Sequence, residues 1–135
     1  MATAFSFDRF NRGASLDRVR WINEGLPASA LRALIDGKDI TIGDLVGIVA
    51  SRRTLDRRLA DDTSLTLEES DRLARFADIL TLATHVLGGR AEAMEWLRTP
   101  QFAFEDELPI TLMRTHVGGE LVTHLLRQIQ HGMLA

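Results

Sequence analysis

Between Thr66 and the glycine pair Gly88-Gly89 the chain carries apolar residues on two helical stripes at once. Leu73, Phe76, Ala77, Leu80 and Leu87 fall on one face, and Ile79, Leu82 and Val86 form a second. A helix that is apolar on two sides is buried on two sides, so this segment is expected to be the central pillar of the fold. Its ends are marked. Thr66 and Glu69 have the spacing of a capping box, in which each side chain serves the other's backbone N–H. The two glycines stop the run. No stretch shows the apolar–polar alternation of a strand, so the expected fold class is all-α.

Shorter helices flank the pillar. Pro27, after Gly25, opens one through Leu31, Leu34 and Ile35, closed by Gly37. Thr41 precedes Ile42, Leu45, Val46 and Val49, whose spacing predicts one face of a second helix. Ser51 is placed to cap a third, from Arg52 to about Ala60, with Leu55 and Leu59 one turn apart as its only apolar seam. Beyond the pillar a short helix carries Ala93, Trp96 and Leu97 and stops before Pro100. A loop is expected from Gln101 to Pro109. A last amphipathic helix is expected from about Gly119, with Leu121, Leu125 and Ile129 inward and Gly132 at its end. Residues 1–24 hold Phe5, Phe7, Phe10, Leu16, Val19, Trp21 and Ile22, too apolar for a tail. They are expected to fold against the body or against a second copy of the chain.

Composition narrows the function. The chain has no cysteine, which removes disulfides and thiolate metal sites and fits a reducing cytoplasm. Asp8, Arg9 and Arg12 stand where a signal peptide would need apolar residues. The longest charge-free run, Ile79 to Gly89, is far shorter than the roughly 20 residues of a membrane helix. A soluble cytoplasmic protein is expected, with no membrane association. Of His85, His116, His124 and His131, the last two are seven apart and could share one helix face, but partly exposed polar histidines are the expected reading, with neither a metal nor a catalytic site. Glu105-Asp106-Glu107 fits a loop better than a metal site. Phosphate-loop and nucleophile-elbow motifs are absent, and no cofactor is expected.

The net charge of −3 argues against bulk electrostatic attraction to nucleic acid, but its distribution is uneven. Residues 1–64 hold ten Lys/Arg against nine Asp/Glu, and residues 65–135 hold six against ten. Four of the ten basic residues are Arg52, Arg53, Arg57 and Arg58. Two short helices joined near Ala50-Ser51, the second rich in arginine, form a helix-turn-helix pattern. A recognition helix needs an apolar seam to hold it and an outward face that reaches bases and phosphates. On a helical wheel Arg53 and Arg57 point away from Leu55 and Leu59, while Arg52 and Arg58 flank them. The guanidinium fork matches guanine's two acceptors and phosphate oxygens, and Ser51 and Thr54 are placed to bond phosphate. Two features weigh the other way. The corner Val49-Ala50 lacks the usual glycine, and Asp56 repels phosphate unless Arg52 pairs with it. A plain solvated helix face is the competing reading.

In the C-terminal half, Trp96 precedes Arg98-Thr99-Pro100, and Met133-Leu134-Ala135 follow a helix-stopping glycine. Apolar residues there should dock, on their own domain or on a partner. The segments SRRTLDRRL (51–59), LTLEESDRLARFADIL (65–80), VLGGRAEAMEWLRTP (86–100) and LPITLMRTHVGGELVTHLLRQIQHGM (108–133) together resemble the Xre/MbcA/ParS antitoxin family of bacterial toxin–antitoxin operons. The likeness spans roughly residues 28–135. It departs before Pro109, where the family has a glycine-containing turn and this chain has Glu105-Asp106-Glu107-Leu108.

The resemblance implies an Xre-like helix-turn-helix domain for DNA binding and dimerisation over residues 1–64. It implies a small helical toxin-binding domain over residues 65–135. It further implies a RES-domain, NAD⁺-consuming toxin as partner, blocked at its active site, operator DNA for autorepression, and a homodimer within a larger complex. Trp96, Arg98, Arg127, Gln128, His131, Gly132, Met133, Leu134 and Ala135 are the implied toxin contacts. The enzyme would be the partner, not this chain. The alternative is a stand-alone helix-turn-helix regulator whose C-terminal domain dimerises or binds a ligand. Phe5, Phe7, Phe10 and Trp21, having no evident core to join, are the expected dimer contacts.

Overall fold

The computed structural model describes residues 5–132, which are helical throughout apart from turns and two isolated β-bridges. The order is α1 (Phe7–Arg12), α2 (Ser15–Glu24), α3 (Ala28–Ile35), α4 (Ile42–Leu45), α5 (Arg52–Asp61), α6 (Leu67–Leu87), α7 (Arg90–Leu97), a 3₁₀ turn (Phe102–Phe104), α8 (Pro109–Leu112) and α9 (His116–Gln130). The chain divides into two compact units between Ala74 and Arg75, inside α6. No helix among the described residues is long and apolar enough to cross a membrane.

The first unit is built around Leu31, Leu34, Leu45, Val49 and Leu55, all nearly inaccessible. Its backbone is pinned at Leu26. The Leu26 N–H donates to the buried Ser70 Oγ at 2.8 Å, and its carbonyl accepts from the Leu65 N–H at 2.8 Å. Gly25, at φ 93°, brings the chain so close to the Leu65 carbonyl that a Cβ would overlap it. The start of α6 has its capping box as expected: the Thr66 N–H donates to Glu69 Oε1 at 3.0 Å and the Glu69 N–H to Thr66 Oγ1 at 3.1 Å.

The N-terminal aromatic residues correct the sequence expectation. They do join a core, one they make themselves. Phe10 is buried, its ring centroid 5.9 Å from Phe5, 6.2 Å from Phe7 and 5.6 Å from Trp21, with the Arg18 guanidinium 4.6 Å above its ring. The rings meet tilted or edge-on, and Phe10 is the member they bury. Leu16, Val19 and Trp21 of α2 keep exposed side chains, with Leu16 and Val19 one helical turn apart.

The second unit packs α7, α8, α9 and the later turns of α6 around Phe76, Leu80, Ala83, Met94, Leu97, Val122 and Leu126. Gly88, at φ 95°, ends α6 where expected. Two expectations are corrected. The segment after Gln101 contains a 3₁₀ turn and the one-turn helix α8 with Pro109 at its first position. The last helix begins at His116, three residues before Gly119, because Thr115 caps it by accepting from the Gly118 N–H at 2.9 Å. Gly118 has no alternative, since a Cβ there would overlap the Leu112 carbonyl.

Candidate nucleic-acid and partner interfaces

The first surface is the outer face of α5. Thr41 and Asp44 form a capping box at α4, with the Thr41 N–H donating to Asp44 Oδ2 at 2.8 Å. The expected helix through Val49 stops after one turn at Leu45. Gly47, at φ 81°, turns the chain, its N–H donating to the Ala50 carbonyl at 3.1 Å, and Val46 bridges Ala50. The corner therefore has its glycine, three residues earlier than the corner expected at Ala50. Val49 and Ile48 remain buried, because the turn folds them inward as a helix would have done. This is why periodicity misread the segment.

The turn delivers Ser51 as the N-cap of α5. Its Oγ accepts from the Thr54 N–H at 3.2 Å, and its hydroxyl lies 3.1 Å from Thr54 Oγ1. Leu55 is buried, and α5 packs on α3 and α4. Two guanidinium groups clamp it further. Arg32 donates to the Leu59 carbonyl at 2.7 Å and to Asp62 at 2.9 Å, where a left-handed Asp62 ends the helix. Arg58 donates from Nε to Glu69 Oε1 at 3.0 Å and from Nη2 to Oε2 at 3.4 Å, with side chains 16% and 12% exposed. Burial pushes the Glu69 carboxyl up, but hydrogen bonds from Arg58 and the Thr66 N–H, with the charges of Arg58 and Arg57, outweigh it. The net pKa lies below the ordinary 4.5.

These contacts sort the predicted DNA residues. Arg53 and Arg57 are exposed and enter no ion pair among the described residues. Arg52 is exposed and stands 3.9 Å from Asp56, the pairing that removes the objection to that carboxylate. Arg58 is a correction: its fork is turned inward onto Glu69, so it holds the helix rather than facing DNA. Ser51 and Thr54 serve as the cap, which occupies them locally. Arg32, Gly47 and the pairing of Arg58 with Glu69 went unrecognised because the partners are distant in sequence or because glycine spacing alone does not reveal a turn.

The second surface is the outer face of α9. Its inner face is Val122, Leu125 and Leu126, all buried, with Ile129 half-buried. Leu121, expected inside, is 49% exposed, because Val122 takes the inward position at that turn, while Leu125 is buried as expected. Val117 is 67% exposed. Val117, Leu121, His124 and Gln128 follow at helical spacing as one outward stripe. Among the predicted contacts, Arg98, Arg127, His131 and Gly132 are exposed, while Trp96 and Gln128 are half-buried. Gly132, at φ 68°, turns the chain off the helix. Met133, Leu134 and Ala135 lie outside the described residues. No group of three His, Asp or Glu among the described residues is arranged to hold a metal ion.

Residues 17–78 match the antitoxin Xre-like helix-turn-helix domain, and residues 82–132 match the antitoxin Xre/MbcA/ParS C-terminal toxin-binding domain. An antitoxin Xre from Yersinia enterocolitica is 30% identical over 90% of this chain and 95% of its own. An antitoxin Xre from Pseudomonas putida is 39% identical over 59% of this chain and 50% of its own. A protein of a Sphingobium species named Prs ADP-ribosylating antitoxin is 25% identical over 97% of this chain and 89% of its own.

Proposed function

We propose, for a chain that belongs to the Xre/MbcA/ParS-type antitoxin family, that it binds and blocks a RES-domain, NAD⁺-consuming toxin and represses its own operon through α5. One observation carries this reading. The stretch matched to a toxin-binding domain ends in a helix whose inner face is buried while Val117 and Leu121 stand exposed on its outer face. Exposed apolar side chains repeated along one helix face gain stability only when covered. The name of the Sphingobium relative adds support, because an ADP-ribosyl group derives from NAD⁺ and this points to an NAD⁺-linked partner.

DNA affinity resides in Arg53 and Arg57, with Arg52 beside them. Two copies reading a two-fold operator give the usual geometry for a single recognition helix. The homodimer contact is assigned to Leu16 and Val19, with the exposed Trp21 on the same helix. The chemistry belongs to the toxin, and this chain obstructs it. Residues 133–135 act as a plug at the toxin's NAD⁺ pocket.

The test is co-expression of the chain with the RES-domain protein encoded beside it, followed by purification and an assay of NAD⁺ consumption. A stable complex with suppressed consumption is expected. Separate elution with unaltered consumption, alongside intact operator binding, would establish the stand-alone regulator instead.

A further inference from the structure

We infer that Phe102 is a docking knob that enters an apolar pocket on the toxin, and that this pocket is rimmed by Lys or Arg side chains. The inference rests on the reading of the chain as an antitoxin. Phe102 is 93% exposed, the most exposed of the large apolar residues. Its ring makes no aromatic contact among the described residues. Single exposed apolar residues are ordinary on surfaces, but this one is held on a tightly built loop. The Gln101 N–H donates to the Glu107 carbonyl at 3.2 Å, closing the loop at its base. Inside it the Gln101 carbonyl accepts from the N–H groups of Phe104 and Asp106 at 2.9 and 3.0 Å. The Phe102 and Phe104 carbonyls accept from Glu105 and Glu107 at 3.1 and 3.0 Å. The Gln101 side chain ties the base to the end of α7, donating to the carbonyls of Trp96 and Thr99 at 3.3 and 3.1 Å.

The loop accepts backbone strain to hold this shape. Glu105 and Asp106 are both left-handed, at φ 55° and 67°, without being glycine. Such outliers persist where the surroundings over-determine them and cluster at functional surfaces. A knob held rigid in this way loses little conformational freedom on binding, the property of an interface anchor. Charge then selects the partner. Glu105, Asp106 and Glu107 follow the ring in sequence on the same loop, and all three are exposed. An apolar anchor followed on its loop by three exposed carboxylates complements a pocket with a basic rim and repels an acidic surface. The loop lies inside the stretch matched to a toxin-binding domain, which makes the toxin the occupant.

The test compares full-length Phe102→Ala with the wild-type chain for binding to the co-encoded RES-domain protein, by calorimetry or surface plasmon resonance. Thermal midpoint and operator binding serve as controls. Removing an exposed ring should leave both controls unchanged and weaken toxin binding on the order of 30-fold. The triple variant Glu105→Gln, Asp106→Asn, Glu107→Gln should slow association and flatten its salt dependence. Wild-type affinity in Phe102→Ala overturns the inference and leaves the antitoxin reading intact. No binding by the wild-type chain overturns both. A Phe102→Ala chain that keeps toxin affinity but changes mass in light scattering assigns the knob to a second copy, and so also overturns it.

Discussion

Arg53 and Arg57 differ from Arg58 by what each guanidinium meets, and the wheel, which put Arg58 at the flank, could not name its partner. Sequence spacing correctly turned Arg53 and Arg57 outward, but the partner of Arg58 lies eleven residues away across a turn. Replacing Arg53 or Arg57 by Ala should cost about 1–3 kcal/mol of operator affinity if it reads a base, or lower the salt slope if it meets phosphate. Neither change should move the melting temperature. Glu69→Gln should do the reverse. The half-buried Arg58 loses its counter-charge, so stability should fall by about 2–4 kcal/mol. The sign with pH follows from the lowered Glu69 pKa. Its stabilisation is full above 4.5, the value of an ordinary carboxyl, and is lost as pH falls below that through the native pKa. The gap in melting temperature between wild type and Glu69→Gln, followed by circular dichroism, should therefore close on acidification below 4.5. A gap independent of pH would mean the ion pair is not the source.

At the scale of elements, long and strongly periodic helices were legible and short ones were not. α6 appeared with both ends correct because capping box, two stripes and glycine pair all agreed. α4 was overextended because a glycine turn buried Ile48 and Val49 just as a helix would. α8 was missed because one helical turn carries no period. α9 was recognised with Leu125 correctly inward, but its start was read three residues late and Leu121 was placed inward instead of Val122, which hid the Val117–Leu121 stripe. For α5, Leu55→Asp should cost more than about 4 kcal/mol and unfold the first unit, since it buries an unpaired charge. For α9, deleting residues 132–135 should leave a toxin complex that forms but inhibits poorly. Equal suppression of NAD⁺ consumption by both forms would show that the helix alone blocks the pocket.

At the scale of the whole molecule, the proposed operator contacts lie on the first compact unit and the proposed toxin contacts on the second. Charge is divided unevenly along the chain, with the arginines concentrated in the first half and the acidic excess in the second. What the sequence could not show is which apolar residues are left over after each core closes, because that depends on packing among distant segments. Leu16 and Val19 are such residues in the first unit, as Val117 and Leu121 are in the second. Leu16→Glu with Val19→Glu should therefore give a monomer by light scattering and weaken operator binding, while toxin binding persists. The central claim is that the two surfaces act separately. Its most direct test measures operator binding and inhibition of toxin NAD⁺ consumption on the same preparations of two variants. Arg53→Ala with Arg57→Ala should lose the operator and still inhibit the toxin fully, while Val117→Asp with Leu121→Asp should bind the operator and fail to inhibit. Loss of both activities in either variant at an unchanged melting temperature, or retention of inhibition by the Val117–Leu121 variant, would contradict it.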